Sequence, residues 1–122
     1  MRILVIDDED LARFTLREML VSLGHEVLEA RDGREGLARL GPGGVDLVVT
    51  DILMPNMDGV EFVMTARKDW PNLKVIAISG GGRTRNLDFL ELAKDYGAAA
   101  TLSKPFNKAD LLSALEAASR AG

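Results

Sequence analysis

Short apolar runs alternate with segments of helical spacing along the whole chain, and this alternation most limits what the chain can fold into. Runs that include Val and Ile, the residues that favour strands, predict five strands. They cover residues 3–7, 26–29, 45–50, 74–79 and 99–102. Strands that alternate with helices form a parallel sheet covered on both faces. The sequence therefore predicts an α/β fold with five parallel strands and five helices.

The five predicted helices differ in how clearly the sequence marks them. The first carries apolar residues three and four apart from Ala12 to Leu23 and is followed by Gly24, a typical helix stop. The second, residues 34–40, is surrounded or interrupted by glycines, which oppose helix formation. The apolar stripes of the other three lie at residues 60–64, 87–93 and 111–118. The GPGG stretch at residues 41–44 is interpreted as a loop within one domain.

Composition excludes several classes of protein. A chain of 122 residues has the size of one domain, and 47% hydrophobic with 28% charged residues is typical of a globular one. The net charge of −4 provides no basic field for nucleic acid or an anionic membrane, and no apolar run is long enough to cross a bilayer. Cysteine is absent, which is compatible with a reducing compartment. We expect a cytoplasmic protein that makes no direct contact with nucleic acid or membrane.

Charged and polar residues follow the predicted strands where each strand ends. Asp7 and Asp8 end the first apolar run, Asp51 the third, Ser79 the fourth, and Lys104 comes just after the fifth. In an open parallel sheet, ligands bind at the carboxyl ends of the strands, near the point where the strand order reverses. We therefore expect three carboxylates, a hydroxyl and an ammonium to converge on one edge of the sheet.

This set of side chains predicts a particular chemistry. Adjacent carboxylates repel each other, and a bound Mg²⁺ would remove that repulsion, since it prefers oxygen ligands. A carboxylate beside a divalent ion can attack a phosphoryl group in line, as in aspartyl-phosphate enzymes. Lys104 and Ser79 could then donate hydrogen bonds to a phosphoryl group on Asp51. Glu29, at the end of the second strand, is placed to one side.

At this point the chain resembles a known family, the response-regulator receiver domains, also called CheY-like. The resemblance rests on IDD at 6–8, TDILMPNMDG at 50–59, Ser79 at the end of an apolar strand, and SKPF at 103–106. It implies a flavodoxin-like (CheY-like) doubly wound sheet with strand order 2-1-3-4-5 and five helices. It covers essentially the whole chain, so we expect residues 1–122 to form a single receiver domain with no effector domain.

The resemblance also implies the role of each site residue. Asp51 would be the phosphoacceptor, Ser79 the switch hydroxyl and Lys104 the family's lysine, joined to Pro105 by a cis peptide bond. Magnesium would be held by Asp8, by Asp51 and by the backbone carbonyl of Leu53, and by Asp7 through water.

The function that follows from the resemblance is that of a switch. A histidine kinase or phosphotransfer protein would donate the phosphoryl group, and a conformational change would signal to a downstream protein. The chain would not be a turnover enzyme, although it would catalyse its own phosphotransfer and autodephosphorylation. We expect a monomer or weak dimer.

One position departs from the family. Thr101 stands where a Tyr or Phe usually precedes the lysine by three residues, so the aromatic ring that swings inward behind the switch hydroxyl is missing. The conformational change would then use other groups or be smaller.

Several residues also have a purely structural interpretation. Glu9 and Asp10 are expected to cap the first helix and complement its dipole. Lys104 could simply neutralise the acids in a pseudoreceiver that binds proteins without phosphorylation.

A flavodoxin-like electron carrier is disfavoured because the acids at 7–10 would repel a flavin phosphate. A haloacid-dehalogenase-like phosphatase lacks its second acid, since Ile52 and Leu53 follow Asp51.

Overall fold

The computed structural model describes residues 1–51, 59–79 and 97–120, with the backbone alone for Val60 and Ser79. The strands are β1 (Arg2–Ile6), β2 (Glu26–Ala30), β3 (Leu47–Asp51), β4 (Lys74–Ser79) and β5 (Ala100–Ser103). The helices of the described ranges are α1 (Asp10–Ser22), α2 (Gly33–Leu40), α3 (Gly59–Asp69) and α4 (Lys108–Arg120). The helix predicted over residues 87–93 lies outside these ranges. Each described element matches a predicted one to within a few residues.

All five strands are parallel and lie in the order β2-β1-β3-β4-β5, which confirms the predicted topology. The chain moves outward from β1 to β2 and then returns to the other side of β1 for β3. Ile6 of β1 pairs with Thr50 of β3, so the residues that follow them are neighbours at the carboxyl edge. The strand order therefore reverses between the two strands that carry the predicted acids.

Side chains of the sheet alternate between two apolar cores, one on each face. Ile3 and Val5 of β1 belong to the core that α1 and α4 cover. Leu4 and Ile6 belong to the opposite core, which contains residues of α2 and α3. The central strands are thus buried on both faces, as expected for a parallel sheet. Within the described ranges, no helix is both long and apolar enough to cross a membrane.

Helix α2 forms in spite of its glycines because they serve its packing and its start. The Asp32 side chain accepts a hydrogen bond from the backbone N–H of Glu35 at 2.9 Å, which caps the helix. Gly36 is buried, and a β carbon there would overlap Cδ1 of Ile6 and lie 3.1 Å from Phe62. The glycine lets the helix backbone approach the sheet closely, which offsets its poor helix propensity.

Helix α1 begins differently from the expectation that Glu9 and Asp10 cap it. Glu9 is the N-cap residue, but its side chain makes no capping hydrogen bond, so that part of the prediction was wrong. Asp10 lies in the first turn, where its charge complements the helix dipole, and it pairs with Arg13. The backbone N–H of Glu9 is bound instead by Oδ1 of Asp7 at 2.9 Å.

The close approach of α2 can be tested with Gly36→Ala. The added methyl group gains about 1 kcal/mol of helix propensity but overlaps the buried Ile6, which costs about 1–3 kcal/mol. We expect a net loss of about 1 kcal/mol in the free energy of unfolding, measured in urea. Ile6→Val removes the Cδ1 carbon in question, so the double variant should lose less stability than the sum of the two single losses. Additive losses would contradict this account of Gly36.

Candidate functional site

Three carboxylates meet at the carboxyl edge of the sheet, where the sequence predicted them. Asp7 and Asp8 follow β1 directly, and Asp51 is the last residue of β3. Each offers an oxygen atom, and these oxygens all lie within 4.8 Å of one another. Asp7 is 2% exposed and Asp51 9%, whereas Asp8 is exposed. The cluster therefore has two buried members and one that faces solvent.

Each polar group of Asp7 has a hydrogen-bond partner. Its backbone N–H donates to the carbonyl of Ala30 at 3.1 Å, which extends the pairing of β1 and β2 by one residue. Its Oδ1 accepts from the backbone N–H of Glu9, and its Oδ2 lies 3.2 Å from Nζ of Lys104. A buried carboxylate is tolerable when it is paired and hydrogen-bonded in this way. The cost of ending a buried strand in an acid is thus offset by fixed partners.

Lys104 lies between two of the carboxylates. Its Nζ is 3.2 Å from Oδ2 of Asp7 and 3.5 Å from Oδ2 of Asp51, and its side chain is 26% exposed. Burial opposes the charged form, but the charges of Asp7 and Asp51 outweigh it and raise the pKa of Lys104 above 10.5, its ordinary value. The peptide bond from Lys104 to Pro105 is cis, as the resemblance implied.

The other predicted site residues are only partly described. The backbone of Ser79 pairs with Ser103, directly before Lys104, so β4 ends beside the segment that carries the ammonium. Leu53, the predicted carbonyl ligand, lies outside the described residues. His25 precedes β2 and lies 3.1 Å from the terminal amine of Met1, at the opposite edge of the sheet.

Sequence analysis missed Arg13, which contacts the site from α1. Its side chain is 12% exposed and reaches three acceptors, one in the segment after β1, one in α1 itself and one in β2. Nη1 donates to the backbone carbonyl of Asp7 at 2.9 Å, and Nη2 lies 2.6 Å from Oδ1 of Asp10. Nε lies 3.3 Å from Oε1 of Glu29 in β2. The three-residue spacing of Asp10 and Arg13 was a signal for the local pair, but the contact with Asp7 depends on the fold.

A hydrogen bond from a neighbouring side chain constrains the backbone at Asp51. The hydroxyl of Thr50 is fully buried and donates to the carbonyl of Asp51 at 2.9 Å. It satisfies the buried hydroxyl and constrains the chain where it leaves β3.

The donor set fits magnesium. Oxygen ligands of one Mg²⁺ lie at most about 4.2 Å apart, because each is about 2.1 Å from the ion. The three carboxylate oxygens lie within 4.8 Å of one another, so they would have to draw closer around one ion, or one of the acids would bind it through water. The solvent-exposed Asp8 leaves room for the water ligands that Mg²⁺ usually keeps.

The fold and the site together define a doubly wound α/β protein with an acidic centre at its topological switch point. The sequence model for the response regulator receiver domain matches residues 3–116, and the chain belongs to this family. Such domains are the receiving part of two-component signalling systems.

Curated relatives are longer than this chain. The transcriptional regulatory protein PdtaR of Mycobacterium tuberculosis is 37% identical in an alignment of 120 positions that covers 96% of this chain and 56% of PdtaR. The transcriptional regulatory protein TcrA of the same organism is 34% identical, over 99% of this chain and 47% of TcrA. The chain thus spans about half the length of these relatives.

Solved structures of similar length superpose closely. A response regulator receiver domain protein from Clostridium thermocellum has a TM-score of 0.86 and 34% identity, over 98% of this chain and 94% of that one. The chemotaxis protein CheY4 of Vibrio cholerae has a TM-score of 0.84 and 31% identity, over 94% of this chain and 95% of that one.

The pairing of Lys104 with the acids predicts a pH-dependent contribution to stability. Since the pKa is raised above 10.5 in the folded state, protonated Lys104 stabilises the fold fully below that pH, and the contribution is lost as the pH rises through the folded-state pKa. Without magnesium, Lys104→Met should cost about 1–2 kcal/mol near neutral pH, because it leaves paired carboxylates without their cation.

Urea unfolding of wild type and variant from neutral to strongly alkaline pH measures this contribution. The difference between the two proteins should shrink above about pH 10.5. Lys108→Met, at an exposed lysine, is the control and should change stability by less than about 0.5 kcal/mol. A Lys104→Met protein as stable as wild type near neutral pH would contradict the pairing.

Proposed function

We propose that this chain is a phosphorylation-dependent switch in which Asp51 accepts a phosphoryl group from the phosphohistidine of a histidine kinase or phosphotransfer protein. The observation that carries the proposal is the position of Lys104. Its ammonium lies 3.2 Å from one oxygen of Asp7 and 3.5 Å from one of Asp51, at the edge where Asp8 joins the cluster. A nucleophile, a cation and two further acids are therefore collected at a switch point of the sheet.

The proposed reaction is a transfer between two covalent carriers. A carboxylate oxygen of Asp51 forms a bond to phosphorus while the bond from phosphorus to the donor nitrogen breaks, and the electron pair stays on the imidazole. Asp51 becomes an acyl phosphate, and no water or oxidant takes part. The 9% exposure of Asp51 limits the access of water to its carboxylate.

The remaining acids would hold a metal during this transfer. Asp8, Asp51 and the Leu53 carbonyl would bind Mg²⁺ directly and Asp7 through water. When bound, Mg²⁺ stabilises the charge that develops on the phosphoryl oxygens. Asp7 is oriented for this role in advance by its hydrogen bonds from Glu9 and Lys104.

Phosphorylation would work as a switch through Lys104 and Ser79. The new phosphoryl oxygens carry more charge than the carboxylate they replace, so they compete with Asp7 for the ammonium of Lys104. The Ser79 hydroxyl would donate to another oxygen. Since Thr101 replaces the usual aromatic residue, the movement would spread through β4 and β5, whose residues Ala77 and Thr101 pair.

The broader assignment follows from this mechanism. The chain would act as a single receiver domain in the cytoplasm, as a monomer or weak dimer, and would signal to a protein partner without turning over a free substrate. Its catalysis would be limited to its own phosphotransfer and autodephosphorylation. The absence of nucleic-acid contact rests on the net charge of −4 alone and stays a prediction, since the names of the longer relatives lend it no support.

Intact mass after incubation with acetyl phosphate tests the phosphoacceptor. We expect a gain of one phosphoryl group in wild type with Mg²⁺, and none with EDTA or in Asp51→Asn, because the nucleophile and the metal are both needed. Asp69→Asn, an exposed acid in the last turn of α3, is the control and should be phosphorylated like wild type. A folded wild-type protein that gains no phosphoryl group would favour the pseudoreceiver.

Thermal unfolding with and without magnesium tests the metal site separately. A ligand that binds only the folded state stabilises it by about 2.7 kcal/mol at one hundred times its Kd. We expect Mg²⁺ to raise the melting temperature of wild type by several degrees, and that of Asp8→Asn by much less. Asp69→Asn should respond like wild type. An equal response in Asp8→Asn would exclude Asp8 as a ligand.

A further inference from the structure

Arg13 joins three elements at the acidic site. Its guanidinium donates to the carbonyl of Asp7 after β1 and pairs with Asp10 in the first turn of α1 and with Glu29 in β2. A planar guanidinium presents its N–H groups in a fixed fork, so three acceptors in different directions fix the group in one orientation. With a side chain 12% exposed, Arg13 is a half-buried bridge between these acceptors.

The contact that matters for the site is the one to the backbone. The Asp7 carbonyl belongs to the peptide that links Asp7 to Asp8, and its direction sets the orientation of that peptide plane. The Asp7 side chain is fixed by Glu9 and Lys104, whereas Asp8 is exposed, so the position of its carboxylate depends on the backbone that carries it. Arg13 therefore acts on the one acid of the cluster that faces solvent.

We propose that Arg13 is a positioning residue for metal binding, because its hydrogen bond to the Asp7 carbonyl sets the place of the Asp8 carboxylate. The inference rests on the proposed function, since it requires Asp8 to bind magnesium. Asp10 and Glu29 take part by orienting the guanidinium. In this way β2, an edge strand that contributes no carboxylate to the cluster, supports the site through Glu29.

The positive charge of Arg13 and its hydrogen bond to the Asp7 carbonyl should affect the affinity for Mg²⁺ in opposite directions, so the inference can be tested. Removing a cation near three carboxylates should strengthen the binding of Mg²⁺ if charge alone matters. Losing the bond that places Asp8 should weaken it, and partners that orient metal ligands typically contribute about 10–100-fold in metal affinity or activity. The sign of the change in affinity therefore separates the two effects.

The experiment compares Arg13→Gln and Arg13→Lys with Arg17→Gln. Arg17 is the matched control because it lies on the same helix and its Nε is 3.6 Å from Oε2 of the same Glu29. Within the described residues it pairs with Glu18 and Glu29 and not with Asp7. Binding of Mg²⁺ is measured by calorimetry well below each melting temperature. The amide resonance of Asp8 is recorded in the metal-free proteins as a second readout.

We expect about a tenfold higher Kd for Mg²⁺ in Arg13→Gln and a shifted Asp8 amide resonance before metal is added. Arg13→Lys keeps the positive charge but loses the planar arrangement of N–H donors, so it should recover only part of the affinity. It also replaces Arg13→Gln as the test if the Gln variant does not fold. Arg17→Gln should change the Kd by less than about twofold, in the direction of tighter binding.

If the wild type binds Mg²⁺ and both Arg13 variants bind it equally well or more tightly, the inference is overturned but the proposed function is not. A fall in melting temperature without a change in Kd would also overturn it, because Arg13 would then only stabilise the fold. A wild type that neither binds Mg²⁺ nor gains a phosphoryl group would overturn the proposed function, and the inference with it.

Discussion

The ammonium of Lys104 between the carboxylates of Asp7 and Asp51 is the interaction on which the site depends. Carboxylates at the ends of two buried strands repel each other and lose hydration, so the sheet can place them there only if a cation compensates. The lysine and Asp7 are 97 residues apart in sequence, and Lys104 reaches the acids from the far edge strand, past β4. The compensation therefore exists only once the whole sheet is assembled, which couples the site to the fold.

The same interaction leaves Lys104 free to change partners. Strong charge-assisted bonds measure about 2.7–2.9 Å, whereas Lys104 stands 3.2 Å and 3.5 Å from its two carboxylates. It shares one charge between two acceptors and keeps a quarter of its side chain in contact with solvent. Moving to a third acceptor then replaces long contacts with a short one and requires little desolvation. A residue locked by one short, buried bond would lack this property.

The sequence predicted well those features that a local residue pattern determines. It predicted less well those that depend on contacts made only in the folded protein. Apolar runs and the acids after them gave the strands and the carboxyl-edge cluster, while the strand order came from the resemblance. Glycines around α2 count against a helix until Gly36 is seen against Ile6, because close packing reverses their cost. Glu9 at a helix start predicts a side-chain cap that the structure does not have. The sequence did not mark Arg13, since no local pattern shows that its guanidinium reaches the Asp7 carbonyl.

The balance of charge explains why these residues suit both a divalent cation and a phosphoryl group. Three carboxylates and one ammonium within contact distance leave two formal negative charges, which is the charge that one Mg²⁺ neutralises. With Mg²⁺ bound, the proposed phosphoryl group on Asp51 would replace one negative charge by nearly two, and the neutral site would become negative again. In the proposed switch, Lys104 would move toward this new charge, and the carboxylate that it leaves would lose its compensating cation. That carboxylate would be Asp7, which is buried and fixed by Glu9, so the proposed metal and its water would have to compensate it.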